Sequence, residues 1–186
     1  MISIIIPAYN EAERIRAVIQ ETLPFGHEVI VVDDGSQDNT FDLAKGAGAT
    51  VVRQENSGYI AAIKRGFQEA KGDILVTMDA DGEHHPLDIH RLVWPIEHGQ
   101  ADMVLGKRYH VARISERLIS ILTSWKTGVY DTGTGMRAMR RDLALQLTMP
   151  GRCICGTSVL EANHLGARIL EIPIILRKVN KPRKIA

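Results

Sequence analysis

Cysteine is nearly missing from this sequence: Cys153 and Cys155 are the only two in 186 residues. Two thiols that close together give neither a disulfide framework nor the four ligands of a structural zinc site, so a reducing cytosol is the simplest expected setting. Net charge is equally scant. With 23 Lys and Arg against 22 Asp and Glu, the formal charge is +1, too small a basic excess to neutralise the phosphates of a nucleic acid. Long apolar runs are absent too. The run after Met1 stops at Pro7 and follows no basic region, so neither a signal peptide nor a membrane-spanning helix is expected. There is no internal repeat, low-complexity linker or evident domain boundary. The one charge asymmetry is terminal: from Arg177 onward come Lys178, Lys181, Arg183 and Lys184 with no acid among them. That segment suits phosphate or an anionic membrane surface, or is simply a solvated tail.

What is present reads as one α/β domain spanning residues 1–186, since 45% hydrophobic content allows one sizeable core and not two. Short β-branched apolar runs recur at 2–6, 28–32, 50–52, 74–78, 103–105 and 169–175. Helix-like segments lie between most of them, and this alternation predicts a mostly parallel central sheet flanked by helices. Asn10 with Glu13 has the spacing of a capping box for a helix running towards Gln20. A second helix over 59–71 is expected to end at Gly72. A third follows Pro86, with Pro95 expected to kink or end it. Trp94 reads as core.

In open α/β sheets, ligands collect at the carboxyl ends of the strands. Here those ends are polar. The first strand runs into Pro7-Ala8-Tyr9-Asn10-Glu11, the second into Asp33-Asp34-Gly35-Ser36, and the fourth into Asp79-Ala80-Asp81-Gly82-Glu83. Asp79 and Asp81 are so close that they repel unless a cation sits between them. Hard oxygen ligands suit Mg²⁺ or Mn²⁺, which take one or two protein carboxylates and fill the other positions with phosphate oxygens and water. Glu83 is spaced to help. A lone D-x-D also occurs in ordinary acidic turns. Asp33-Asp34-Gly35-Ser36 is open to two readings as well: a tight turn with Ser36 or Asp38 capping the next helix, or a site where Asp34 accepts hydrogen bonds from a base or ribose. Tyr9 would stack on that base and Glu11 would meet a polar edge.

Taken in order, these motifs resemble glycosyltransferase family 2 and its GT-A nucleotide-sugar-binding fold. The matches are Ile-Ile-Pro-Ala-Tyr-Asn-Glu at 5–11, Val-Val-Asp-Asp-Gly-Ser-Gln-Asp-Asn-Thr at 31–40, and Asn56-x-Gly58 with Ala61, Ala62 and Gly66. Ala70-x-Gly72-Asp73 leads to Met78-Asp79-Ala80-Asp81-Gly82-Glu83-His84-x-Pro86. Gly106-Lys107-Arg108, Asp131-x-Gly133-x-Gly135-Met136-Arg137 and Glu171-Ile172-Pro173 complete the series. Within the family the chain looks most like the dolichyl-phosphate mannose synthase group and its polyprenyl-phosphate relatives.

The resemblance implies an inverting hexosyltransferase that uses a GDP- or UDP-sugar and Mg²⁺ or Mn²⁺, without processive polymerisation. By it, Pro7, Tyr9, Glu11 and Asp34 hold the nucleoside, and Asp79, Asp81 and Glu83 hold the metal beside Ala80. Arg108, Arg117 and Ser120 meet the acceptor phosphate, while Arg137, Arg177 and Lys184 contact donor or acceptor phosphates. Asp131 is a possible base, or a loop cap. Two departures stand out: Ile60 replaces a common second glycine, and Gly156-Thr157-Ser158 lacks the acid many members place there, leaving Glu161 as the nearest carboxylate. A phosphate acceptor is already ionised and needs no base, which fits a polyprenyl phosphate. Over 111–129, Ile114, Leu118, Ile121, Leu122, Trp125 and Val129 share one helical face beside Arg113, Arg117, Ser120 and Ser124. Such a helix packs on a core, the reading periodicity alone favours, or lies in a membrane interface with Arg117 at a lipid phosphate; the expected location is cytoplasmic or, with a lipid acceptor, peripheral on the cytosolic membrane face. A soluble transferase acting on a small acceptor and a non-catalytic nucleotide-sugar-binding module are the alternatives.

Overall fold

The computed structural model describes residues 1–109, 123–151 and 156–179. Seven strands form one sheet: β1 (Ile2–Ala8), β2 (Glu28–Asp33), β3 (Thr50–Arg53), β4 (Ile74–Thr77), β5 (Met103–Arg108), β6 (Arg137–Arg140) and β7 (Ile169–Ile174). Their spatial order is β3-β2-β1-β4-β6-β5-β7. Every residue of β1 is buried, as expected of a central parallel strand covered on both faces. Its side chains alternate between two cores. Ile4 and Ile6 join Ile15 and Ile19 of α1 (Ile15–Thr22) and Ile89 and Leu92 of α4 (Asp88–Glu97). Ile5 faces the other way, onto Ile63 and Phe67 of α3 (Tyr59–Glu69). Further helices among the described residues include α2 (Thr40–Gly46), α5 (Arg141–Gln146) and α6 (Thr157–His164).

The expected mostly parallel sheet is present, with one addition that the apolar pattern did not reveal. β6 pairs antiparallel with both β4 and β5, with Thr77 opposite Arg137 and Val104 opposite Ala138. Its sequence, Arg-Ala-Met-Arg, is too short and too charged to register as a strand. Because it runs backwards, its entry loop at 131–136 arrives at the same edge of the sheet as the carboxyl ends of β1, β2 and β4.

Several local expectations change. Asn10 does not cap α1, which begins at Ile15 without a side-chain cap. Asn10 sits at φ 55° and its side-chain oxygen accepts the Gln37 N–H at 2.8 Å, so the residue ties the first loop to the second. Neither Ser36 nor Asp38 is the N-cap of the helix after β2: that position is Asn39, without a side-chain cap, and Asp38, one residue earlier, accepts the Thr40 N–H at 3.0 Å. Helix α3 stops at Glu69 with an extended Ala70, so Gly72 is not its cap. A Cβ at Gly72 would lie 2.7 Å from the Ser3 nitrogen and 2.8 Å from the Met1 carbonyl oxygen, and glycine is needed there for close backbone approach. Pro95 does not end the helix: α4 runs through it to Glu97, since the proline lies in the last turn. Trp94 is 50% exposed and stacks on His98 with ring centres 4.2 Å apart, so it is not core.

Helix α3 seats on β1 through Gly66, where a Cβ would fall 2.3 Å from Cγ2 of the fully buried Ile5. Ala in place of a mid-helix Gly normally stabilises by about 0.8–1 kcal/mol. Here overpacking reverses the sign: Gly66→Ala should cost about 1–3 kcal/mol, read as a lowered midpoint in thermal unfolding. A raised midpoint would show that α3 does not depend on this contact.

Candidate active site

The first two polar loops are locked to each other by their own side chains. The Asn10 N–H donates to Ser36 Oγ at 2.9 Å, the Glu11 N–H to Thr40 Oγ1 at 2.8 Å, and the Ala12 N–H to Asp38 Oδ2 at 3.1 Å. Asp34, 5% exposed, fastens the loop after β3. Its Oδ1 accepts from Gln54 Nε2 at 2.8 Å and the Ser57 N–H at 2.9 Å, and its Oδ2 accepts the Gly58 N–H at 2.9 Å. Between these loops lies a cavity of about 330 Å³ lined by Pro7, Ala8, Tyr9, Asp34, Asn56, Gly58, Tyr59 and Ala62. The structure thus brings Pro7, Tyr9 and Asp34 together, with Tyr9 44% exposed at the mouth. Glu11 is close in sequence but does not line the cavity; its carboxylate lies 3.4 Å from the Arg14 guanidinium.

Asp79 stands just past the end of β4 with about a third of its side chain exposed, and both of its carboxylate oxygens have partners. Tyr59 donates its hydroxyl to Oδ1 at 3.0 Å, and His84 Nε2 lies 3.1 Å from Oδ2. Facing an acceptor, that His84 nitrogen carries the proton, and the buried Nδ1 has no hydrogen-bond partner among the described residues. The backbone of Gly135 closes another side: a Cβ there would sit 2.2–2.6 Å from the Asp79 carboxyl atoms. Thr77 holds that loop by donating its hydroxyl to the Gly135 carbonyl at 2.7 Å. Burial pushes the Asp79 carboxyl up, but the bonds from His84 and Tyr59 and the charge of Arg137 outweigh it and hold it below the usual aspartate range. Burial, followed by the charge of Asp79, raises the Tyr59 phenol well above the usual tyrosine value. At neutral pH the pair is therefore phenol donor and carboxylate acceptor.

Ala80 points into the core at 4% exposure. Asp81 Oδ1 accepts the Glu83 N–H at 3.0 Å. It lines a second cavity, about 360 Å³, with Glu13, Arg14, Glu21, Arg177 and Lys178. Among the described residues, no three His, Cys, Asp or Glu side chains converge as a self-sufficient metal cage. That donor set fits Mg²⁺ or Mn²⁺ completed by ligand phosphate and water, and does not fit a metal held by protein alone.

The expected arginines divide. Arg137 is fully buried and does not reach out to phosphate. Its Nε donates to the Thr134 carbonyl at 2.9 Å, its Nη2 to the Thr132 carbonyl at 2.7 Å, and its Nη1 to Ser158 Oγ. Burial lowers its pKa to about 10, opposed by the negative charges of Tyr59, Asp131 and Asp79 when ionised; it stays protonated at neutral pH and braces the 131–136 loop from beneath. Arg108 grips Asp131 through Nε and Nη2, each at 2.8 Å, and its N–H reaches the same carboxylate at 2.9 Å. Asp131, 2% exposed, is thus committed to Arg108 on both oxygens. Glu171 supports this unit by accepting the Tyr130 and Asp131 N–H groups. Arg177 lies behind the Asp81 loop: its N–H meets the Glu83 carbonyl at 2.8 Å and its guanidinium pairs with Glu21 at 2.5 Å. Glu161 turns inward to the Met149 N–H at 2.8 Å and the Thr148 hydroxyl, so it clamps a loop. Arg117, Ser120 and Lys184 lie outside the described residues. Tyr59 was missed in the sequence; the available signal was its place directly after Gly58, whose φ of 90° aims the start of α3.

Residues 3–117 match the family described as Glycosyl transferase family 2. The chain is 36% identical over 162 residues to an undecaprenyl-phosphate 4-deoxy-4-formamido-L-arabinose transferase from Pseudomonas fluorescens, a match that covers 76% of the chain and 47% of that protein. A similar transferase from Yersinia enterocolitica is 35% identical over 162 residues, 76% of the chain and 49% of that relative. The chain therefore spans about half the length of these curated relatives. Among solved structures, glucosyl-3-phosphoglycerate synthase from Mycobacterium tuberculosis with phosphoglyceric acid superposes at a TM-score of 0.83 and 28% identity, covering 98% of the chain and 73% of that protein. The same enzyme has been crystallised with Mn²⁺, UDP-glucose and phosphoglyceric acid. The family match over most of the chain, the relatives' identity and the shared sheet place the chain in glycosyltransferase family 2, with the GT-A fold.

Proposed function

We propose that this chain carries the catalytic site of an inverting glycosyltransferase that moves a hexose from a GDP- or UDP-sugar to a polyprenyl phosphate at the cytosolic membrane face. The observation that carries the reading is the junction of a nucleoside-sized cavity with the Asp79–Asp81 loop at one sheet edge. Pro7, Tyr9 and Asp34 frame the base and ribose; from there the diphosphate runs past Tyr59 towards Asp81. Asp81 would hold Mg²⁺ or Mn²⁺, with Asp79 beside it and the Glu83 main chain fixing the loop. When bound, that ion offsets the negative charge that grows on the departing nucleoside diphosphate.

The acceptor oxygen attacks the anomeric carbon as the bond to the diphosphate breaks, and the bonding electrons leave on the β-phosphate oxygen. The chain's own part is positioning and electrostatics. Arg108, immobilised by Asp131, supplies a fixed positive charge at the end of β5, and by resemblance Arg117 and Ser120 add to the acceptor side. Asp131, with both oxygens occupied by Arg108, acts as the holder of that arginine rather than as a base. An ionised phosphate acceptor needs none. Among the described residues no helix is long and apolar enough to cross a membrane. Trp125, 90% exposed, and Tyr130, 62% exposed, are suited to an interface.

A second reading has its own support: the likeness to glucosyl-3-phosphoglycerate synthase spans 98% of the chain, which favours a small phosphorylated acceptor. Incubation with radiolabelled UDP- and GDP-sugars and either polyprenyl phosphate or phosphoglycerate separates the two. Label in the organic phase supports the lipid acceptor, and label only in a water-soluble product replaces it with the small one. A non-catalytic binding module would bind nucleotide and transfer no label at all.

Calorimetry with UDP and GDP, with and without Mn²⁺, should show one of them bound more tightly in the presence of the metal; no gain with either sinks the metal assignment. Asp81→Ala should lower kcat by about 10²–10³-fold, the scale of losing one stabiliser of developing charge. Retention of most activity would remove Asp81 from the site. Gly135→Ala, which forces a Cβ into the Asp79 carboxylate, should abolish the metal-dependent gain in nucleotide affinity. Unchanged binding would show that the packing of Asp79 against Gly135 has no part in holding the donor.

A further inference from the structure

Tyr59 belongs to none of the motifs that mark this chain, yet it joins two parts of the site. Gly58, at φ 90°, turns the chain into α3 so that residue 59 lies against the end of β4. The ring packs on the core face of α3 and forms a wall shared by two cavities. One is the nucleoside cavity of about 330 Å³; the other, about 390 Å³, is lined by Asn56, Ser57, Gly58, Ile60 and Gly151 as well. The hydroxyl at the ring's tip donates to Asp79 Oδ1 at 3.0 Å. With His84 on Oδ2 and Gly135 behind, the carboxylate cannot rotate. Each of its oxygens keeps a lone pair, and the direction of those lone pairs is set by these neighbours.

We propose that the Tyr59 hydroxyl is a positioning group: it fixes the direction in which Asp79 meets the metal-diphosphate end of the donor. This rests on the donor-site reading above. Ring and hydroxyl have separate duties, since the ring packs and the hydroxyl aims Asp79. Tyr59→Phe therefore keeps the wall and removes only the aim.

The test is a cycle of four proteins: unaltered, Tyr59→Phe, Asp79→Asn and the double variant. UDP and GDP binding is measured by calorimetry with and without Mn²⁺, alongside thermal unfolding. For Tyr59→Phe we expect metal-free nucleotide affinity within about twofold of the unaltered protein. The gain on adding Mn²⁺ should fall by about tenfold or more, the scale of losing a hydrogen bond to a charged acceptor. In the Asp79→Asn background, the same change should have less than about a twofold effect, because the group through which it acts is gone. A full Mn²⁺-dependent gain in Tyr59→Phe overturns the proposal. So does an equal loss in both backgrounds, or a loss of metal-free binding as large as the metal-bound one, which marks the residue as merely structural. Should Asp79→Asn unfold, the midpoint of a Mn²⁺ titration at fixed nucleotide decides for Tyr59→Phe alone: a shift of about tenfold upward supports the role and none overturns it. Absence of any metal-dependent gain in the unaltered protein is a different outcome, since it removes the donor-site reading itself.

Discussion

Asp79 holds a negative charge just past the end of a wholly buried strand, and three segments of the chain meet around its carboxylate. The start of α3 brings the Tyr59 hydroxyl, the turn after β4 brings His84, and the entry to β6 brings the Gly135 backbone. Three segments far apart in sequence are thus required at one point. The antiparallel insertion of β6 between β4 and β5 is what makes the third available, because a parallel strand in that position would deliver its entry loop to the opposite edge of the sheet.

The two carboxylates of the Asp-x-Asp unit receive opposite treatment. With Ala80 sunk into the core, Asp79 is bonded to Tyr59 and His84, and Asp81 lines the cavity that also contains Arg177. Asp79 has its oxygens engaged and its pKa lowered by those partners. Asp81 is held through the neighbouring Glu83 N–H. An arrangement with one braced carboxylate and one in a charged cavity suits an ion that completes its shell with phosphate and water.

A second charged layer supports the first. Buried Arg137 gathers two backbone carbonyls and Ser158, which stiffens the loop that carries both Asp131 and Gly135. Asp131 in turn holds Arg108 in a two-pronged grip, a geometry that fixes a guanidinium plane more firmly than a single bond does. The relatives and the superposed structure are named for acceptors that carry phosphate, undecaprenyl phosphate in one case and phosphoglycerate in the other. In this chain Arg108, held by Asp131 at the end of β5, is the residue to which the proposed function assigns the acceptor side.

The sequence by itself determined the fold class and the edge of the sheet on which the site lies. Continuous apolar runs bury parallel strands, and the polar residues after them gather at the carboxyl ends; position alone therefore brings the loops of Tyr9, Asp34, Asp79 and Asp81 to one edge, whereas a role for Pro7 came only with the resemblance. The family followed from the order of its motifs. The tertiary structure decided the roles within that edge. Arg137 reads as a phosphate ligand until its burial is seen, Asp131 as a base until Arg108 occupies it, and Asn10 as a helix cap until it is found bonded to Gln37. Tyr59 carries no motif at all. In each case the deciding fact is a contact between residues remote in sequence, and for Asp131 and Tyr59 a strand or helix terminus sets it. Residue type fixes what a side chain can donate or accept, whereas only the packed chain fixes which partner is there to meet it.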